Sequence, residues 1–321
     1  MTEIPQPASP APVMRASPSV LWLGAAVAVL AVVATAVGLL STGGAGERTV
    51  TTGRGVTVHL YGAGLYKLDT VFSGAGQRGT DVITLALGVP LLVVCLVLYR
   101  RGSLRAGLLL VGVLAYFLYV YVSLALGYAF NQLFLVYVAV FAASFYGLIL
   151  LLREFDLGAL PAATLARLPR RGPAAFMCFS GAVVLVVWLQ PVLTALLNGD
   201  APARTDGYTT AMTFALDLAV VAPALFVCGT LLLRGRPLGY LLSFPLLGII
   251  MLLGPAIAAQ TVSQVHAGVS LTPGEQVGPV VGFLLVCAWA IWVIVSILRR
   301  LPGAARPVGP EPADGVVNPV E

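Results

Sequence analysis

The sequence predicts an all-α integral membrane protein of eight transmembrane helices with a small β-hairpin cap between the first two. Of its 321 residues, 59% are hydrophobic and only 10% are charged, whereas a soluble domain carries about 25% charged residues. Eight apolar runs lie at about 20–40, 82–99, 106–126, 131–152, 174–196, 209–233, 238–259 and 278–298. Each approaches the ~20 residues that a helix needs to cross ~30 Å of hydrocarbon. The runs are apolar on every side and lack the alternation of a membrane β-strand, which leaves helices as the spanning element. They are numbered here as spans 1 to 8.

An even number of spans puts both termini on one side of the bilayer. That side takes 13 of the 18 Lys and Arg residues, among them Arg15, Arg100, Arg101, Arg105, Arg153, Arg170, Arg171, Arg234, Arg236, Arg299 and Arg300, so both termini are expected to be cytoplasmic. Seventeen Arg against the single Lys67, with abundant Ala, Gly and Val, suggest a GC-rich bacterial genome and hence a bacterial plasma membrane. The pI near 9.2 does not point to nucleic acid, because the basic residues sit at span ends and form no single face. Cys95, Cys178, Cys228 and Cys287 all fall inside spans, where they act as small apolar side chains, and no zinc or disulfide spacing is present.

Residues 1–19 are Pro-rich and read as a disordered cytoplasmic tail. Span 1 is longer than the 7–15 residues of a signal-peptide core, which favours an uncleaved helix over cleavage near Ala45. In the loop 41–80, the runs 49–52 and 56–61 flank Gly53-Arg54-Gly55 and predict a hairpin. Asp69 is placed to cap a short turn of helix before the chain re-enters the bilayer at Asp81. This segment is either a cap over the bundle mouth or an ornament that stiffens the first connection. Tyr121 and Tyr128 sit where an interfacial aromatic belt is expected. Residues 153–173 form a basic linker, suited to an anionic lipid surface, and 301–321 form a second disordered tail.

The linker separates two candidate halves, 20–152 and 174–300. Offset by 133 residues, PLLVVCLVLYRRGSLRAGLL aligns with PALFVCGTLLLRGRPLGYLL at nine of twenty positions. Pro90, Cys95, Arg101 and Gly102 fall on Pro223, Cys228, Arg234 and Gly235. Five of the nine identities are Leu or Val, which match cheaply between membrane segments. The pattern is that of two parallel four-helix repeats, visible only in their middle pair.

Polar residues gather toward the outer half. Asp81, Thr84, Gly88 and Cys95 share one face of span 2, and Thr210, Thr213, Asp217 and Cys228 share one face of span 6. Tyr116, Tyr119 and Ser123 form a stripe on span 3, and Gln190 and Gln260 lie near the outer ends of spans 5 and 7. Asp217 is the costliest of these. An acid at mid-bilayer costs ~2.5–3.5 kcal/mol on insertion scales and persists where it pairs, binds or carries protons. Its expected structural partners are Tyr119, Gln190 or Gln260.

Arg78 and Asp81, three residues apart, suggest a local ion pair, with Arg78 reaching to Asp217 as the alternative. His59 and His266 could be grouped with Asp69, Asp81 and Asp217 into a metal or acid/base cluster, but two solvated histidines explain them as well. No P-loop, HExxH, GxSxG or phosphate-binding glycine fingerprint is present. No catalytic residue, metal or cofactor is therefore assigned.

The leading expectation is an outward-facing polar pocket between spans 2, 3, 6 and 7. It would bind or translocate a small solute or lipid, with Asp81, Thr84, Tyr119, Ser123, Gln190, Thr213, Asp217 and Gln260 as lining candidates and Arg78 and His266 at its mouth. Two rivals are an enzyme on a lipid-linked substrate, using Asp81, Asp217 and His266, and a non-catalytic partner or sensor subunit.

Overall fold

The computed structural model describes residues 13–202, 205 and 207–302. Among these residues eight helices are long and apolar enough to cross a membrane: Pro18–Leu40, Val71–Arg100, Leu104–Gly127, Phe134–Arg153, Arg171–Asn198, Met212–Leu233, Pro237–His266 and Pro273–Leu298. The chain is an all-α polytopic membrane protein. Strands β1 (Arg48–Thr51) and β2 (Thr57–Leu60) pair antiparallel between spans 1 and 2, in the register Arg48↔Leu60 to Thr51↔Thr57. Gly55 closes the connection at φ +74°, a conformation that glycine adopts without strain.

Spans 1 to 4 pack in a ring, 1 on 2, 2 on 3, 3 on 4 and 4 back on 1, and spans 5 to 8 repeat that order of neighbours. Span 7 joins the two groups by lying against both span 2 and span 3. Span 3 is the centre, with 72% of its apolar window buried against 22% for span 5. The joint depends on absent side chains. A Cβ on Gly248 would overlap the Gly112 backbone of span 3, and one on Gly79 would overlap the backbone at Ala259 and Gln260. In lipid, close backbone approach of this kind supplies the packing that water would otherwise drive.

Span 2 starts about ten residues earlier than expected. Thr70, not Asp69, is the N-cap and accepts from the Ser73 N–H. Gly74, Gly76 and Gly79, within the segment expected to be loop, are buried helix positions against Tyr61, Gln264 and span 7. The tail expected through residue 19 is also tied down in its described part. Arg15 N–H donates to Glu154 O, Asp156 N–H donates to Val13 O, and the Tyr99 hydroxyl accepts from Ser17 N–H and donates to Arg15 O. Residues 1–12 and 303–321 lie outside the described residues. The linker is partly folded, with a short helix at Ala162–Arg167 and with Leu157, Leu160 and Leu168 buried. Tyr121, placed above in an interfacial belt, is 1% exposed and packs between Phe117 and Tyr137.

Spans 2 and 6 each contain one widened π turn, Thr84–Gly88 and Asp217–Val221. In each, the N–H that follows reaches back five residues, Val89 to Thr84 O and Ala222 to Asp217 O. A proline comes next in both, Pro90 and Pro223. A proline ring clashes with the carbonyl four residues before it, and a widened turn relieves that clash while the helix continues. The two π turns stand 133 residues apart, as do Gly102 (φ +77°) and Gly235 (φ +64°) in the turns after these spans. One close approach recurs at the same offset: Gly79 against Gln260, and Gly127 against Met212.

The glycine joint gives a direct test. Gly248→Ala is expected to lower the thermal midpoint of the purified protein, by about 1–3 kcal/mol of stability, because its neighbour is backbone and cannot swing aside. Gly278→Ala, with open space around it, is expected to hold or raise the midpoint.

Candidate functional site

Asp217 opens the π turn of span 6 and is buried at 8% exposure. Its Oδ1 accepts from the Tyr119 hydroxyl of span 3 at 3.0 Å, and its Oδ2 accepts from the Trp188 indole N–H of span 5 at 2.7 Å. Three helices thus meet on one carboxylate. Phe214, one turn earlier on span 6, stacks on Trp188 with ring centroids 4.2 Å apart. Of the expected partners Tyr119 is present. Gln190 is exposed on the bundle surface, and Gln260 instead donates to Thr80 Oγ1 at 2.9 Å.

Asp81 lies in a second, separate cluster. Its Oδ2 accepts from the Tyr66 hydroxyl at 2.7 Å and its Oδ1 from the Gln77 amide at 3.1 Å. Gly38 of span 1 closes over it, where a Cβ would overlap the Asp81 carboxylate. One turn on, Thr84 Oγ1 and the Tyr116 hydroxyl are 2.8 Å apart. Ser123 uses its hydroxyl on Tyr119 O of its own helix, and Thr213 is half-buried.

Arg78 does not pair with Asp81. Its guanidinium donates to Tyr61 Oη at 3.3 Å and Leu39 O at 3.1 Å, tying span 2 to the cap and to the end of span 1. His266 is exposed, with Nδ1 2.8 Å from Val262 O, and His59 stands 3.5 Å from exposed Glu47. Among the described residues no three His, Cys, Asp or Glu side chains come together as a metal site. The acid/base grouping of Asp81, Asp217 and His266 is not assembled by these contacts.

A third buried acid, Asp69, sits outside the spans. Its Oδ1 accepts from Ala129 N–H at 2.9 Å and from the Tyr208 hydroxyl at 2.8 Å. It therefore links the cap to the turn between spans 3 and 4 and to the approach to span 6. Oδ2 is buried and has no hydrogen-bond partner among the described residues. Burial pushes its carboxyl up to about 6, against the opposing pull of those two hydrogen bonds.

Where spans 2, 3, 6 and 7 meet, the polar side chains are largely bonded to one another. The larger of two described cavities lies elsewhere, at the hairpin end of spans 5 and 6. It is a groove of about 990 Å³ whose walls include Val192, Phe214, Ala215 and Leu218 below and Arg54, Asp200, Thr205 and Thr209 above. The smaller, about 350 Å³, lies between the end of span 1, the cap and residues 130–132, and Lys67 is on its wall. None of the eight lining candidates borders either cavity. Asp217 approaches the groove through its neighbour Leu218 and through Phe214, which stacks on its partner Trp188.

Trp188, Tyr66, Gln77 and Tyr208 were not singled out from sequence. Trp188 did carry a signal, because an indole N–H in the middle of an apolar span needs an acceptor. Comparison with known protein families, curated proteins and solved structures finds no match to this chain.

Two measurements follow from the buried acids. The raised Asp69 pKa means that the folded state holds the proton more tightly than the unfolded chain. Stability from this group is thus greatest in acid and is lost as pH rises from about 4 to about 6. Asp69→Asn is expected to abolish that dependence and raise the thermal midpoint above pH 6, by at most roughly 3 kcal/mol. Trp188→Phe keeps the stack but strands Asp217 Oδ2, and is expected to cost about 1–3 kcal/mol in a denaturation series.

Proposed function

We propose that this chain binds or moves a small solute or a lipid at the hairpin end of its bundle, with Asp217 as the proton- or cation-sensitive group. The observation that carries this reading is the run of contacts from groove to carboxylate. Phe214 walls the groove and stacks on Trp188, the Trp188 N–H holds Asp217, and Tyr119 of the buried third span holds the other oxygen. Whatever shifts Phe214 loosens a donor from Asp217, and a change of charge on Asp217 acts back on the groove wall. Ionisable groups inside membrane bundles are characteristic of solute and proton pathways.

The π turn at Asp217 adds support, since such turns are frequent at functional positions and leave a helix locally less regular. In this reading the protein lies in a bacterial plasma membrane with both termini cytoplasmic, and the hairpin faces outward. The halves 20–152 and 174–300 are read as parallel repeats. Support comes from the paired π turns, the paired left-handed glycines and the recurring glycine contact.

The test screens the purified protein for thermal stabilisation by amino acids, small carboxylates, sugars and dispersed phospholipids, at mildly acid and mildly alkaline pH. Wild type is expected to show a stabilising compound whose effect depends on pH. Asp217→Asn is expected to fold normally and lose that dependence. The same pH response in the variant would remove Asp217 from the function.

A further inference from the structure

Asp81 lies about ten residues, or ~15 Å, into span 2 from its start at Val71. It is 3% exposed, and two of its sides are shut. Gln77 of its own helix holds Oδ1, and Gly38 of span 1 stands where a Cβ would overlap Oδ2. The remaining contact leads toward the cap. The Tyr66 hydroxyl donates to Oδ2 at 2.7 Å, and the Tyr137 hydroxyl of span 4 is hydrogen-bonded to Tyr66 in turn. Tyr66 gives its one proton to Asp81, so Tyr137 is the donor between the two hydroxyls. Tyr137 accepts from the Asn131 amide at a long 3.4 Å, and Asn131 is on the wall of the cavity of about 350 Å³ beside the cap. Asp81, Tyr66, Tyr137 and Asn131 thus form one chain of hydrogen bonds from a buried acid to a cavity wall.

We propose that Tyr66 and Tyr137 form a proton path between Asp81 and that cavity, with Asn131 closing its mouth. A tyrosine hydroxyl passes a proton on because it both donates and accepts, whereas an amide nitrogen only donates. In the inward step a hydronium in the cavity gives a proton to the Tyr137 oxygen. Tyr137 gives its own proton to Tyr66, and Tyr66 gives its own to an ionised Asp81. One O–H bond forms at Asp81, one breaks in the hydronium, and each tyrosine ends neutral. The long bond from Asn131 is the weak link of the chain, the one that a water replaces most readily. The other titratable groups that act on Asp81 are Tyr116, Tyr121 and Tyr128, on span 3 and in the turn after it, and Arg78, which is turned to Tyr61 and Leu39 O. Span 7 presents only Gln260 and Gln264, both bonded to span 2. Lys67 is the one charged side chain on the described wall of the cavity, and its charge opposes a metal cation there. The path is separate from the Asp217 site and does not depend on the role given to that residue.

The experiment is rapid transfer of the full chain, in lipid nanodiscs, from water to D2O at acid pH, with infrared spectroscopy following the carboxyl C=O band of Asp81. Carbon-13 aspartate assigns the band, together with Asp81→Asn or, should that variant not fold, with Asp69→Asn and Asp217→Asn by elimination. Thermal midpoints show that each variant is folded. The shift of the band times the arrival of a deuteron. Tyr137→Phe leaves the Tyr66–Asp81 bond in place and is expected to slow the shift about a hundredfold. Asn131→Ala is expected to speed it. A purely structural tyrosine predicts the opposite sign, since a loosened fold opens more often and exchanges faster. Exchange in Tyr137→Phe as fast as in wild type, or faster, overturns the path. So does exchange at Asp81 that keeps pace with the backbone amides of span 2, which marks opening of the helix. A band absent at every pH tested overturns it as well. A band that sodium removes at fixed pH also overturns it, and assigns the carboxylate to a cation. Failure of the Asp217 test leaves each of these outcomes as it stands.

Discussion

Helix contact through missing side chains is the constraint from which the bundle follows. Span 7 lies against spans 2 and 3 because Gly79, Gly112 and Gly248 let backbones meet. In a bilayer, neighbouring helices gain little by hiding apolar surface from each other, since lipid tails are as apolar as leucine. Close packing and internal hydrogen bonds must do the work. The contact places the span 7 amides in reach of span 2, where Gln260 meets Thr80 and Gln264 meets the Phe72 carbonyl. Once these pairs form, the middle of the bundle is polar but closed.

That closure explains how the acids are distributed. Asp81 and Asp217 are each held by two neutral donors from other side chains, and among the described residues neither is paired with Arg or Lys. Tyrosine, indole and amide donors satisfy a carboxyl group without bringing a second charge into the interior, which avoids the desolvation penalty of a buried ion pair. Arg78 is the nearest base in sequence to Asp81, yet it turns toward Tyr61 and the Leu39 carbonyl at the helix end, where its charge stays near the polar boundary.

The spans were legible because apolar length is a property of composition and needs no tertiary information. The hairpin was legible because Gly53-Arg54-Gly55 lies between two short β-prone runs. Span 2 was foreshortened because Gly74, Gly76 and Gly79 signal turns in water, whereas in lipid they serve contact between helices. The site was only half visible. Asp217 and Tyr119 stood out as polar groups in apolar runs, and they do meet. Trp188 was counted as hydrophobic, and Gln190 was preferred over it although Gln190 points out of the bundle. Which face of span 5 turns inward depends on its packing against span 6, and periodicity in a uniformly apolar helix does not encode that. Asp69 was understood as a local cap because its partners, Ala129 and Tyr208, are 60 and 139 residues away.

The stitch at the Arg-rich end sets how the molecule can deform. Residues 13–17 are laced to Glu154 and Asp156 beyond span 4, and Tyr99 near the end of span 2 clasps the backbone at Arg15 and Ser17, just before span 1 begins. Three helix ends are thereby tied together, spans 1 and 4 by main-chain bonds and span 2 by the Tyr99 hydroxyl, while at the opposite end the cap is joined to the bundle largely through side chains. With these bonds intact, any parting of spans 1, 2 and 4 has to come at the hairpin end.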